Sequence, residues 1–218
     1  MVIDKRRPLP PHTKLNYWEC YAKIVLEELF PEKFCDLRLA DKPDLQDHSG
    51  CVGIEVTRAE NPKQLEAESV YTNLPYKDEN QRACDVKRIE KTGAKVHEFF
   101  MMGIKGTDSF ERINAAIDTK CKTMSKGGYA AFEEYHLFVF SSIYAVDYML
   151  QEEQEHLVAE NIGKFYRMIY VLVPGGMYCF DLITKEYKVF EIDSNMQYKQ
   201  ATKARQMVEE GEEDATRI

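Results

Sequence analysis

The sequence predicts an α/β fold in which a mixed central sheet is flanked by helices. Three observations support this prediction: an amphipathic helix near the start, an alternating strand at residues 51–57, and three closely spaced strands between residues 165 and 192. Helical patterns lie between the strands, which is typical of a sheet covered by helices. The 218 residues suffice for one domain that buries about 70% of its unfolded surface, so no disulfide or metal is needed to hold a core.

The first half of the chain has clear signals for two helices and a strand. Apolar residues recur at steps of three and four in the first helix until Pro31 ends it: Leu15, Trp18, Ala22, Val25 and Leu29. In residues 51–57, Val52, Ile54 and Val56 alternate with polar or small residues, which indicates a strand with one buried face. Asn61 and Pro62 start a second helix, which we predict to extend to about residue 74.

The second half begins with a segment that the sequence does not assign. Residues 77–106 show only a basic helix face that includes Lys87, Lys91 and Lys95. Asp108 and Glu111 then form a capping box for a helix with an apolar stripe. Residues 136–142 predict a strand buried on both faces, and residues 145–160 predict a polar helix. Strands at 165–173, 177–183 and 187–192 complete the chain as a meander.

Charge divides the chain into three regions. The net charge is −8, and five acids lie in the last ten residues, so we expect residues 201–218 to form an acidic, disordered tail. Residues 1–14 are expected to form a basic arm, which leaves 15–200 as one domain.

No stretch approaches the ~18 apolar residues of a membrane span and no signal segment is evident, so we expect a cytoplasmic protein without a membrane partner. The six cysteines form no C-x-x-C pair, which favours reduced thiols over a zinc or disulfide framework.

Glu19 lies at the edge of the apolar stripe of the first helix, four residues after Leu15. One interpretation is a surface ion pair with Lys23 at i+4. The other is a carboxylate that faces a functional site, because polar residues that break a local pattern often do so for function.

Asp44 and Glu55 are the second place where polar residues break the local pattern. Asp44 lies in a turn after Pro43, and Glu55 follows eleven residues later on the predicted strand, so a hairpin can bring both to one edge. Two close carboxylates repel each other. A hard divalent ion such as Mg²⁺ bound between them offsets this repulsion, and a backbone carbonyl and water complete its set of ligands. The alternative is a solvent-facing strand glutamate and an ordinary turn aspartate.

Lys120 lies three residues after Ile117, inside the apolar stripe of its helix. Its stem either runs along the edge of the core toward solvent, or its ammonium points into a cleft.

Together these residues resemble the PD-(D/E)XK nuclease superfamily, whose fold is also called restriction-endonuclease-like. Pro43-Asp44 is similar to the P-D of the family pattern, and Glu55-Val56-Thr57 is similar to its acidic-x-Lys tripeptide. Glu19 matches the acid of the first helix. The resemblance spans roughly residues 15–180 and implies a restriction-endonuclease-like sandwich.

The resemblance implies metal-dependent hydrolysis of DNA. Asp44, Glu55 and the Val56 carbonyl would hold Mg²⁺ or Mn²⁺, and Glu19 would assist directly or through water. The ion would activate water and offset the charge that develops on phosphorus. Thr57 stands where the family has its lysine: its hydroxyl can hold a water, and the missing positive charge would come from Lys120 or from Lys63.

DNA is the expected partner, and its contacts would lie along residues 5–14, residues 87–95 and the helix of Lys120. Analogy with double-strand cutters of this fold suggests a homodimer. The rival interpretation is the same fold with an inactive site, acting as a protein- or nucleic-acid-binding module. Thr57 and the net charge of −8 favour the rival, whereas the combination of Glu19, Asp44 and Glu55 favours the enzyme.

Overall fold

A seven-stranded mixed sheet forms the centre of the computed structural model, which describes residues 9, 12–97, 100–104 and 109–216. Its strands and those of a small hairpin are β1 (Arg38–Leu39), β2 (Leu45–Gln46), β3 (Val52–Arg58), β4 (Lys95–His97), β5 (Phe100–Met102), β6 (Glu134–Phe140), β7 (Met168–Val173), β8 (Gly176–Asp181) and β9 (Glu186–Glu191). The helices are α1 (Tyr17–Leu29), α2 (Pro62–Asn73), α3 (Glu79–Thr92), α4 (Glu111–Met124), α5 (Asp147–Ala159) and α6 (Ser194–Thr216).

The strand order of the large sheet is β1-β2-β3-β6-β7-β8-β9. Strands β1, β2 and β3 pair antiparallel, the central β3, β6 and β7 pair parallel, and β8 and β9 extend the sheet antiparallel as the expected meander. The prediction of a mixed sheet flanked by helices is therefore confirmed. β2 is short and pairs only with residues 53 and 54, so the β2-facing edge of β3 is open from residue 55 onward.

Each face of the sheet has its own hydrophobic cluster. On one face, Ile113 and Ile117 of α4 and Leu157 of α5 pack with Leu137 and Val139 of β6. The opposite face is covered by α1, whose apolar stripe forms as the spacing predicts. Its buried Ala22, Val25 and Leu26 share a cluster with strand residues that include Ile54 and Phe138.

Strand β3 is buried on both faces, whereas its alternating sequence predicts one buried face. All of residues 52–56 are buried, because α1 covers one face and α4 with the segment after it covers the other. Pro43 and Phe132 pack directly against the backbone of Gly53: a Cβ atom there would lie 2.5 Å from Pro43 Cγ and 2.9 Å from Phe132 Cδ2.

The unassigned segment 77–106 contains α3 and the β4–β5 hairpin. With α2 these elements form a separate small cluster around Ala67, Val70 and Ile89. The predicted Asn61 cap is confirmed, since its side chain accepts a hydrogen bond from Lys63 N. The Asp108 part of the capping box lies outside the described residues, and Ser109 Oγ accepts a hydrogen bond from Glu111 N.

The expectation of a disordered tail over 201–218 is wrong for residues 201–216, which are helical in α6. Ala204 and Val208 are spaced four residues apart and are fully buried with Cys20 and Ile24 of α1. The acidic residues at the end concealed this apolar stripe. Of the predicted basic arm, residues 1–8, 10 and 11 lie outside the described part of the chain. Among the described helices, none has the length and apolar content that a bilayer span requires.

Candidate functional site

Asp44 lies at the open edge of β3. The turn before β2 carries it there, closed by a hydrogen bond from Ala40 N to the Asp44 carbonyl at 2.9 Å. The Asp44 side chain then accepts a hydrogen bond at Oδ2 from Val56 N at 2.7 Å. The carboxylate thus takes the place that a longer β2 would have filled in the ladder.

Glu55 is buried beneath α4 with 2% of its surface exposed, so the solvent-facing interpretation is wrong. Its Oε2 accepts a hydrogen bond from Lys120 Nζ at 2.5 Å, while Oε1 is buried and makes no hydrogen bond of good geometry with any described residue. Burial, and next the nearby Asp44, raise the pKa of Glu55, and the Lys120 ammonium opposes this shift.

Lys120 reaches down from α4 to both carboxylates. Its Nζ lies 3.4 Å from Asp44 Oδ2 in addition to the contact with Glu55. Burial alone would lower the pKa of Lys120, but the two carboxylates more than compensate and raise it. Of the two interpretations open for Lys120, the structure therefore shows the ammonium directed into the site.

Glu19 faces the same site from α1. The Lys23 that would have paired with it instead contacts Glu27, with Nζ 2.5 Å from Oε1. Glu19 is half-buried, and burial followed by the charge of Asp44 raises its pKa to about 7. Four of the predicted residues, Glu19, Asp44, Glu55 and Lys120, are thus coupled electrostatically across three elements and a turn.

Val56 takes part through its backbone. The hydrogen bonds from Glu134 N to Cys51 O and from Ala59 N to Phe140 O show that odd-numbered residues of this strand face β6. The bond from Val56 N to Asp44 shows that Val56 faces the other, open edge. Since the N–H and C=O of one strand residue point to the same edge, the Val56 carbonyl is directed to the side where Asp44 lies.

Asp44, Glu55 and Lys120 line a cleft of about 630 Å³ between β3 and α4. Thr57 is half-buried in its wall, on the same face of β3 as Glu55. Lys63 is exposed and is not among the lining residues, so of the two lysines considered for the missing charge only Lys120 reaches the site. Glu19 approaches from the α1 side and does not line the cleft.

Three further lining residues, Lys42, Arg112 and Tyr129, escaped sequence reasoning. Arg112 is half-buried and makes no ion pair within the described part of the chain. Tyr129 interacts with Glu55, and burial followed by the charge of Glu55 raises the pKa of Tyr129 to about 12. The one sequence signal for Tyr129 was the Gly127-Gly128 pair that ends the preceding helix.

The donor set suits a hard divalent ion. An ion such as Mg²⁺ takes oxygen ligands and needs only a few of them from the protein, because it retains several waters. Asp44, Glu55 and the Val56 carbonyl supply three oxygens, and the buried Glu55 Oε1, which makes no hydrogen bond of good geometry with a described residue, can accept a further partner. Within the described residues no group of three or more His, Cys, Asp or Glu side chains is placed to hold a metal, so a site here depends on the carbonyl and on water.

Comparison of the chain with protein-family models, with curated proteins and with solved structures found no match. Function must therefore be inferred from the chemistry of the site itself.

Proposed function

We propose that this protein is a Mg²⁺- or Mn²⁺-dependent nuclease that hydrolyses DNA, with a restriction-endonuclease-like arrangement of its sheet. The observation that supports this best is the meeting of Asp44, Glu55 and Lys120 at the open edge of β3, inside a cleft. Two antiparallel strands beside a parallel β3–β6 pair, with α1 and α4 on opposite faces, also agree with that arrangement.

Asp44, Glu55 and the Val56 carbonyl would hold the ion. When bound, the ion would activate a water for attack and offset the negative charge that develops at phosphorus. Glu19 has a pKa raised to about 7 and stands near both carboxylates. It would lose its proton as positive charge enters the site, and could then join the ligand set through a water.

Lys120 supplies the positive charge that Thr57 cannot. Its ammonium contacts both Asp44 and Glu55 and offsets part of their charge. A divalent ion on these carboxylates would weaken its hold on them, and the ammonium would then be available to a phosphate oxygen at the same edge. The Thr57 hydroxyl, which lines the cleft beside Glu55, can hold a water there.

The anionic backbone of DNA suits the cations around the cleft. Arg112 and Lys42 line it, and the guanidinium of Arg112 is suited to bind a phosphate that flanks the scissile one. The exposed Lys87, Lys91 and Lys95 provide a further basic surface on and after α3. A homodimer would allow both strands of a duplex to be cut, and it remains part of the proposal by analogy.

The test is a calorimetric titration of Mn²⁺ into wild type and into the double variant Asp44→Asn with Glu55→Gln. Asn at position 44 keeps an oxygen that can accept the hydrogen bond from Val56 N, so the fold should survive. Glu152→Gln, an exposed site on α5, is the matched control. We expect saturable binding in wild type and control only, and Mn²⁺-dependent cleavage of plasmid or single-stranded DNA that the double variant loses. Absence of binding and cleavage in wild type would refute the proposal.

A catalytically inactive nuclease-fold protein that binds protein or nucleic acid is the second candidate. It is favoured by the Lys120 ammonium, which already occupies the space between the two carboxylates that an ion would need and offsets part of their charge. Fluorescence anisotropy with labelled DNA separates the two candidates. A binding module retains DNA without cutting it in Mn²⁺, and its affinity does not depend on the two carboxylates.

A further inference from the structure

Tyr129 is held in the site by a specifically built segment, residues 127–132, which joins α4 to β6. Gly127 and Gly128 have φ values of 78° and 88°, a backbone conformation that residues other than glycine rarely adopt. These two glycines turn the chain from the end of α4 back toward β3, and Tyr129 follows immediately.

The segment is anchored on both sides. The Tyr135 hydroxyl of β6 donates a hydrogen bond to Ala130 O at 2.5 Å, and the ring of Tyr135 packs edge-on against that of Tyr129 with centroids 6.4 Å apart. On the other side, Ala130 N donates to Lys42 O at 3.0 Å. Tyr129 is therefore tied to the turn that carries Asp44 and to the strand beside Glu55.

Tyr129 and Glu55 line the same cleft, and the Tyr129 hydroxyl is close enough to interact with the Glu55 carboxylate. Lys120 contacts one oxygen of Glu55, and the other lacks a hydrogen bond of good geometry. If an ion displaces Lys120, the Tyr129 hydroxyl remains in the wall of the cleft and can still orient the carboxylate. Groups that hold a metal ligand in this way fix its geometry and raise metal affinity.

We propose that Tyr129 is a positioning residue, whose hydroxyl orients Glu55 for the divalent ion. This inference rests on the proposed function. It assigns Tyr129 no contact with the reacting phosphate, so its effect must pass through the affinity for the ion.

Calorimetric titration of Mn²⁺ into wild type, Tyr129→Phe and Tyr144→Phe tests the inference. Tyr129→Phe removes one oxygen and keeps the ring that packs on Tyr135. Tyr144 is 76% exposed and serves as the matched loss of a tyrosine hydroxyl. We expect Tyr129→Phe to bind Mn²⁺ about 10-fold more weakly, as is typical when such a supporting group is removed, and Tyr144→Phe to bind as wild type does.

Cleavage measured across Mn²⁺ concentrations adds a readout that a loss of stability would not reproduce. A positioning role predicts that saturating Mn²⁺ restores the rate of Tyr129→Phe to that of wild type. Equal Mn²⁺ affinity in the two proteins, or a rate that stays low at saturation, would overturn the inference. Failure of the proposed function is distinguishable, because wild type itself would then bind no Mn²⁺.

Discussion

Replacing Lys120 with Met tests the charge balance of the site directly. The substitution keeps much of the side-chain volume but removes the ammonium that lies 2.5 Å from Glu55 Oε2 and 3.4 Å from Asp44 Oδ2. The Glu55 side chain is 3% exposed, whereas Asp44 and Lys120 are 19% and 21% exposed. Breaking a buried ion pair from one side costs about 3–5 kcal/mol, because the remaining charge is left without compensation.

We expect the low end of that range, about 3 kcal/mol at pH 8, because water screens Asp44 in part. For a chain of this size the loss corresponds to a decrease in melting temperature of about 6–12 °C. Urea denaturation followed by circular dichroism measures it, with Lys122→Met, an exposed lysine on the same helix, as control.

The loss should depend on pH with a definite sign. Burial and the charge of Asp44 already raise the pKa of Glu55 above its unfolded value, and removal of Lys120 takes away an opposing cause. Glu55 in the variant therefore takes up a proton as the pH falls, and the repulsion disappears. The destabilisation should be largest at pH 8 and smaller at pH 5.

Mn²⁺ should compensate for the missing ammonium. A ligand at 100 times its dissociation constant stabilises the folded state by about 2.7 kcal/mol. Because the ion no longer competes with Lys120, we expect it to stabilise Lys120→Met more than wild type. A variant as stable as Lys122→Met at pH 8 would refute the assigned ion pair, and equal Mn²⁺ stabilisation in variant and wild type would refute the competition.

Three further predictions concern other parts of the fold. Burial raises the pKa of Glu153 to about 7, so its contribution to stability is lost as pH rises from 4.5 toward 7. Glu153→Gln should therefore increase the free energy of unfolding by about 1–3 kcal/mol at pH 8 and leave it unchanged at pH 4. Identical urea-denaturation curves for the variant and wild type at pH 8 would contradict this prediction. Gly53→Ala places a Cβ 2.5 Å from Pro43 Cγ, so it should lower the free energy of unfolding by about 1–3 kcal/mol and weaken Mn²⁺ binding by displacing Asp44. A thermal unfolding curve and a calorimetric Mn²⁺ affinity equal to those of wild type would count against the close packing. Val208→Asp buries an unpaired charge at a site with 0% exposure and should destabilise the protein by at least about 3 kcal/mol, whereas a disordered tail would tolerate it in a thermal scan.

Some of the site was predictable because it depends on local order. Asp44 lies just before β2 and Glu55 lies on β3, the second strand of the same hairpin, so their meeting needed only that hairpin. Lys120 could be singled out as a break in a helical stripe, but its partners lie 65 and 76 residues away along the chain. Tyr129 carried no periodic signal, and its position depends on a turn closed by contacts from two other elements.

The sequence by itself determined the elements with strong apolar periodicity, namely α1, β3 and the final meander, together with the acid pair and its turn. Only the tertiary structure decided that Glu55 is buried, because that burial comes from α4 packing over β3. The same holds for the helical end of the chain, where Ala204 and Val208 find their partners on α1. Local patterns set which segments form helices and strands, whereas burial and charge compensation arise from contacts between segments that are distant in the chain.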